Sequence, residues 1–146
     1  MKIGIIGAAG RMGRMLIEAT LANPAATLAA AVDMPGSSLI GTDAGELVGK
    51  GACGVRLVDS LEKVVRDADV LIDFTVASAT VKNITICAKA GTRLVIGTTG
   101  LTAEQQSGLR QASQQVAICY APNYSVGVNL CFKLLEMAAA VLGDDV

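Results

Sequence analysis

Histidine does not occur anywhere in the 146-residue sequence, and neither does tryptophan. The four cysteines, Cys53, Cys87, Cys119 and Cys131, stand far apart, and no two form a CxxC pair. Zinc needs closely spaced Cys and His ligands, so no metal site is expected. Without a pairing signal the cysteines read as reduced, small core residues of a cytoplasmic protein. Basic clusters are lacking too: the net charge is −1, and no segment is rich in Lys or Arg. Nucleic acids are bound by such clusters, which displace counterions, and that class of partner is excluded. Aromatics make up only 3% of a chain that is 52% hydrophobic. The core must therefore come from Ala, Val, Leu and Ile, a composition suited to thin helices on a buried sheet. Long apolar runs are also missing. The first is broken by Gly4 and Gly7, with Arg11 soon after, and gives no signal peptide. The longest uncharged stretch, residues 111–132, holds Gln114, Gln115, Pro122, Asn123, Ser125 and Asn129, each costly in hydrocarbon. A soluble protein without a membrane partner is expected.

The chain is long enough for one domain with a sizeable core. Short apolar runs alternate with helical patterns almost from end to end. Strands are expected at residues 3–6, 27–32, 55–58, 70–74, 93–96 and 116–120. A helix after the first strand aligns Met12, Met15, Leu16 and Ala19 at i, i+3, i+4 and i+7, and Asn23-Pro24 ends it. Residues 34–54 are glycine-rich and read as a surface loop, with a short helical turn near 43–48. Asp59 or Ser60 caps a brief helix, with Glu62 and Glu46 as exposed charges. Further helices span 77–90, closed by Gly91, and run from Thr102 to about Ser113, with Glu104 and Gln105 close behind the cap. A last helix carries Leu130, Leu134, Met137, Ala138 and Val141 along one stripe, which reads as core packing. Nearly continuous apolar strands separated by helices imply a doubly wound α/β fold with a parallel sheet.

The stretch GAAGRMG, residues 7–13, lies between the first strand and the first helix. In that setting Gly7 suits a tight turn, Gly10 lets a pyrophosphate approach the backbone, and Gly13 lets the helix pack on the sheet. Free amides and the positive helix end then face the phosphates. Asp33 lies 20 residues beyond Gly13 (33 − 13), at the end of the second strand, where a carboxylate can accept from ribose hydroxyls. The same charge repels a 2′-phosphate, and the next residue, Met34, is no cation. NADH is therefore expected in preference to NADPH, which stays possible because Arg11 or Arg14 could reach a phosphate. Three further strand ends carry polar loops: Asp73-Phe74-Thr75, Gly97-Thr98-Thr99-Gly100 and Ala121-Pro122-Asn123-Tyr124-Ser125. Phe74 could pack on the nicotinamide, while Thr98, Thr99 and backbone groups of the last loop could bond its carboxamide. Asp73 reads either as part of that wall or as a loop cap. Tyr120 and Tyr124 read as packing groups.

GAAGRMGRMLIEA, GSSLIGTDAGEL, LIDFT, VIGTTG and APNYSVGVNLCFKLLEMAA, in that order, resemble the N-terminal domain of the 4-hydroxy-tetrahydrodipicolinate reductases. These enzymes, also called dihydrodipicolinate reductases, belong to bacterial and plant lysine biosynthesis through diaminopimelate. The resemblance covers about Lys2 to Gly143 and implies one Rossmann-like NAD(P)-binding domain over residues 1–146. It implies coenzyme contacts at Gly7, Ala8, Ala9, Gly10, Arg11, Met12, Asp33, Gly97, Thr98, Thr99, Ala121, Pro122, Asn123 and Tyr124, with Thr99 also near the substrate. The family often has an arginine after the acid to meet a 2′-phosphate, and Met34 departs from that pattern. Full-length members reduce a cyclic dicarboxylate by hydride transfer, giving tetrahydrodipicolinate. They use a second domain with a histidine-rich stretch and a K-x-D-x-P-S-G-T-A segment. That domain binds substrate, supplies a proton and forms a tetramer interface. No residue here matches those segments, so no catalytic residue is assigned, and the helix from about 126 would lead toward the missing domain. By itself the chain is expected to be monomeric or to self-associate through that helix. A stand-alone dinucleotide-binding module without catalysis is the alternative reading.

Overall fold

The computed structural model describes residues 1–143. The order of elements is β1 (Lys2–Ile6), α1 (Arg11–Ala22), β2 (Thr27–Val32), α2 (Ala44–Leu47), β3 (Leu57–Val58), a 3-10 turn (Leu61–Lys63), β4 (Val70–Asp73), α3 (Ala77–Ala90), β5 (Arg93–Ile96), α4 (Ala103–Ala112), β6 (Ile118–Tyr120) and α5 (Val126–Leu142). The strands form one parallel sheet in the order β3-β2-β1-β4-β5-β6. The chain winds outward from β1 to β3, returns to place β4 beside β1, and winds outward again to β6. This is the doubly wound Rossmann order, and it reverses between β1 and β4.

Both sheet faces are covered, as continuous apolar strands require. Ile5 joins a cluster with Ala8, Ile17, Leu28 and Leu57 on the α1 side. Ile6, its neighbour, points the other way into a cluster with Leu71, Ile84, Leu94, Ile96 and Leu109 under α3 and α4. The α1 face differs from the expected one: Gly13, Ile17 and Thr20 are buried, whereas Met12 and Met15 are exposed. Gly13 must lie against the turn that precedes it, and this rotates the helix so that the methionine stripe faces outward.

The glycine-rich loop is pinned by a single carboxylate. Asp43 accepts from the amides of Cys53 (2.9 Å) and Gly54 (2.8 Å), and also from Gly45 (2.8 Å) and Glu46 (3.3 Å), the last two capping α2. These backbone bonds, that from Cys53 foremost, hold its carboxyl well below the ordinary carboxylate range. The expected helix after Ser60 is only a 3-10 turn. The Ser60 hydroxyl binds Glu62 and Asp59 pairs with Lys63, so neither caps the turn. The strands expected at 55–58 and 116–120 are shortened to their last two and three residues. Elsewhere Gly91 closes α3 in the left-handed conformation, and Thr102 with Gln105 makes a full capping box on α4.

Two further expectations are corrected. Only Cys87 is a core cysteine; Cys53 is half-buried, and Cys119 and Cys131 are exposed. Burial, and then the nearby Asp73 charge, push the Cys87 thiol up to about 12. The α5 stripe is not core either: Leu130, Leu134, Met137 and Val141 are all exposed, and α5 buries no residue. The helix runs off the domain, and no described element packs on it closely enough to bury it.

Candidate functional site

Parallel register gathers the candidate residues along one sheet edge. Val32 pairs with Ile6, Ile6 with Asp73, Asp73 with Ile96 and Ile96 with Tyr120, so these five strands end level. The residues that follow are Asp33, Gly7, Phe74, Gly97 and Ala121. Ligands of open α/β sheets bind at this carboxyl edge, where the strand order reverses.

Gly7 turns off β1 with φ 78°, a conformation that costs glycine nothing and other residues more. Its amide and that of Ala8 both donate to the Val32 carbonyl, at 2.8 and 2.9 Å. The Gly10 amide folds back onto the Gly7 carbonyl at 3.0 Å. Gly10 is the N-cap of α1 and has no side chain to cap it. The amides of Ala9, Arg11, Met12 and Gly13 donate to no group among the described residues. Bare amides at the positive end of a 12-residue helix form an anion cradle.

Gly10 and Gly13 are glycine for different reasons. A Cβ on Gly13 would strike the Gly7 carbonyl oxygen, and would come within 2.8 Å of both Cα and O of Ala8. A Cβ on Gly10 would meet only the Gly7 oxygen, at 3.2 Å, and otherwise project into open space. Gly13 thus packs the helix on its own turn, while Gly10 leaves a stretch of exposed backbone uncovered. Ala8 is wholly buried, so it and Gly7 shape the turn and offer no free amide. Arg14 is corrected as a phosphate ligand. Its Nε donates to the Ala9 carbonyl (3.0 Å) and its Nη1 to that of Leu47 (3.4 Å), tying the turn to α2. Arg11 stays exposed at the helix mouth.

Asp33 anchors its amide on the Val58 carbonyl at 2.9 Å, and its carboxylate accepts no hydrogen bond among the described residues. It lines a cleft of about 670 Å3 with Gly7 and the exposed Met34. The residues Ser60 to Glu62 and the α3 face bearing Ser78, Ala79 and Lys82 complete the walls. That α3 face was missed in the sequence. Its i, i+4 spacing is visible there, but which side of α3 meets the cleft is decided by the packing of Asn83, Ile84 and Cys87 beneath.

The other half of the edge is held by a buried polar chain. Asp73 is fully buried; its Oδ1 accepts from the Thr75 amide (2.9 Å) and hydroxyl (2.6 Å), and its Oδ2 from Asn83 Nδ2 (2.8 Å). It is a loop cap. The Thr75 hydroxyl lies 3.3 Å from that of Thr80, which lies 2.7 Å from that of Thr98. Thr98, 2% exposed, therefore turns its hydroxyl inward, and the expectation that this side chain bonds a carboxamide is revised. Thr99 is exposed. The Phe74 ring covers the Gly97 backbone, where a Cβ would overlap it, and stands 6.0 Å from the Tyr124 ring. The Tyr124 hydroxyl lies within donating distance of two carbonyls, Ile96 (3.0 Å) and Cys119 (3.1 Å). Although Tyr124 is 42% exposed, this inward-facing oxygen is partly desolvated. That burial, then the Cys119 thiol, push the phenol up to about 12, making it a poor proton donor. Asn123 holds the loop by accepting from the Ser125 amide at 2.9 Å, and the Asn129 side chain donates to the Asn123 and Ser125 carbonyls.

Fold and strand order together define a Rossmann-like α/β domain. A family model described as "Dihydrodipicolinate reductase, N-terminus" matches residues 1–124. The chain is 55% identical over 145 residues to a 4-hydroxy-tetrahydrodipicolinate reductase of Pseudomonas fluorescens, covering 99% of this chain and 54% of the relative. A 4-hydroxy-tetrahydrodipicolinate reductase of Psychrobacter arcticus is 54% identical, with 99% and 52% covered. A solved dihydrodipicolinate reductase from Paenisporosarcina sp. TG-14, with dipicolinate bound, superposes with a TM-score of 0.74 at 27% identity. That match covers 96% of this chain and 54% of the solved one. The chain belongs to the dihydrodipicolinate reductase family, whose members bind NAD(P)H, and it spans about half the length of the curated relatives it matches.

Proposed function

We propose that this chain is the coenzyme-binding part of a cytoplasmic NAD(P)H-dependent 4-hydroxy-tetrahydrodipicolinate reductase of lysine biosynthesis, and that it favours NADH. The observation that carries the reading is the set of bare amides at Ala9, Arg11 and Met12, with the free Asp33 carboxylate across the same edge. These groups fit a dinucleotide: amides for the pyrophosphate, Gly10 for close backbone approach, and Asp33 for the ribose hydroxyls. The reduced nicotinamide supplies the hydride when bound. The residues of this chain bind and orient. Phe74, Thr99 and the loop from Ala121 to Asn123 wall the nicotinamide end, with Tyr124 behind them as a brace. The acceptor is the cyclic dicarboxylate reduced to tetrahydrodipicolinate, with Thr99 the residue of this edge nearest to it. Proton delivery and tetramer formation belong to the part of the relatives that this chain does not span.

Asp33 beside Met34 favours a ribose that keeps its 2′-hydroxyl. Calorimetric titration of the chain with NADH and NADPH tests both claims. Binding of NADH, tighter than of NADPH, is expected. Equal or tighter NADPH binding refutes the preference, and no binding of either refutes the assignment of the site.

A further inference from the structure

The cleft beside Asp33 is lined by four ionisable side chains: Asp33, Asp59, Glu62 and Lys82. Two of them are engaged within the protein. Asp59 accepts from Lys63 Nζ at 2.9 Å, and Glu62 accepts from the Ser60 hydroxyl at 2.8 Å. Asp33 and Lys82 have no such partner among the described residues. Lys82 sits on α3 one turn from both Ser78 and Ile86, on the face that walls the cleft, and it is exposed. Next to it Asn83 is turned inward, donating to Asp73 at 2.8 Å. The cleft therefore carries two carboxylates without a cationic partner among the described residues, Asp33 at the end of β2 and Glu62 beside it, and one free ammonium on the α3 wall.

We infer that Lys82 is a specificity-determining residue that admits a 2′-phosphorylated coenzyme to a site whose carboxylate favours the unphosphorylated one. This rests on the coenzyme reading of the site given above. Asp33 alone repels a phosphate on the ribose that it grips. An ammonium on the other wall offsets that repulsion only when the phosphate is present, so it acts on NADPH and leaves NADH almost untouched. Lysine suits this task because its charge rides on a flexible stem and needs no fixed fork geometry. Arg11 does not line this cleft; it stands at the mouth of α1 among the bare amides. Its charge acts on the pyrophosphate, which both coenzymes share.

The experiment compares NADH and NADPH binding to the wild-type chain, Lys82→Gln and Arg11→Gln by calorimetry at low and high salt. Lys82→Gln is expected to weaken NADPH about fivefold and to change NADH by less than about twofold, the range of an exposed charge pair. The difference is expected to shrink at high salt. Arg11→Gln is expected to weaken both coenzymes alike. Equal weakening of both by Lys82→Gln would show that Lys82 contacts the shared adenosine half, and unchanged affinity for both would show that it contacts neither; each overturns the inference while leaving the coenzyme site standing. Failure of the wild-type chain to bind either coenzyme overturns the site itself, and the inference with it.

Discussion

Replacing Gly10 and Gly13 separately with alanine distinguishes a glycine kept for a ligand from one kept for the fold. Gly10 has φ −68° and ψ 165°, which alanine adopts freely, and its new methyl would meet one oxygen at 3.2 Å. A shift of a few tenths of an ångström relieves that contact. The loss of a glycine at the N-cap costs ~0.5–1.5 kcal/mol, and the reduced freedom of the unfolded chain returns ~0.4–1 kcal/mol, so stability should stay within about 1 kcal/mol of wild type. The same methyl stands over the exposed backbone next to the bare amides. There it would hold a pyrophosphate away, and at least about a tenfold loss of NADH affinity, ~1.4 kcal/mol, is expected. Gly13→Ala meets backbone on three sides, none of it a side chain that can swing away. Overpacking of that kind costs ~3 kcal/mol or more, a large share of the ~5–15 kcal/mol that holds a domain together. Urea unfolding followed by circular dichroism gives the stabilities, and calorimetry the affinities. Unchanged NADH affinity in Gly10→Ala would refute the claim that phosphate approaches the backbone there, and a wild-type unfolding midpoint in Gly13→Ala would refute the packing account.

The polar chain under the loops makes a second prediction. Thr80→Val strips the hydroxyl of the buried Thr98 of its partner and should lower stability by ~1–3 kcal/mol, with Thr80→Ser restoring most of it in the same urea assay. A third concerns acid. The Asp43 carboxyl is depressed in the folded state by its backbone donors, so its stabilising contribution is full above the ordinary carboxylate range near pH ~4 and is lost as pH falls below it. The unfolding midpoint should therefore drop on acidification, with a shallower drop in Asp43→Asn; identical acid limbs in the two proteins would contradict it.

Local chemistry was legible in the residues themselves. GAAGRMG between an apolar run and a helical pattern marks a tight turn that opens a helix, with a left-handed glycine at Gly7, and Asp33 closes the apolar run of the second strand. The helix bounds at Ala77, Ala90 and Gly91, and the Thr102 capping box, depend on neighbours three or four residues away, so they could be read in advance. Three-dimensional packing decided what distant residues do to one another. Gly13 pressing on its own turn rotated α1 and exposed the methionines. Arg14, free in the sequence, was drawn onto two carbonyls, one of them 33 residues away. Thr98, read as a ligand, was turned inward by Thr80, and Lys82 entered a cleft that exists only once β2 and α3 lie on the same edge. Sequence alone determined the strands, the glycine turn and the acid, because short-range sterics and apolar periodicity govern them. Tertiary structure alone decided which polar groups remain free for a ligand, because hydrogen-bond partners are assigned only when the strand ends are brought level.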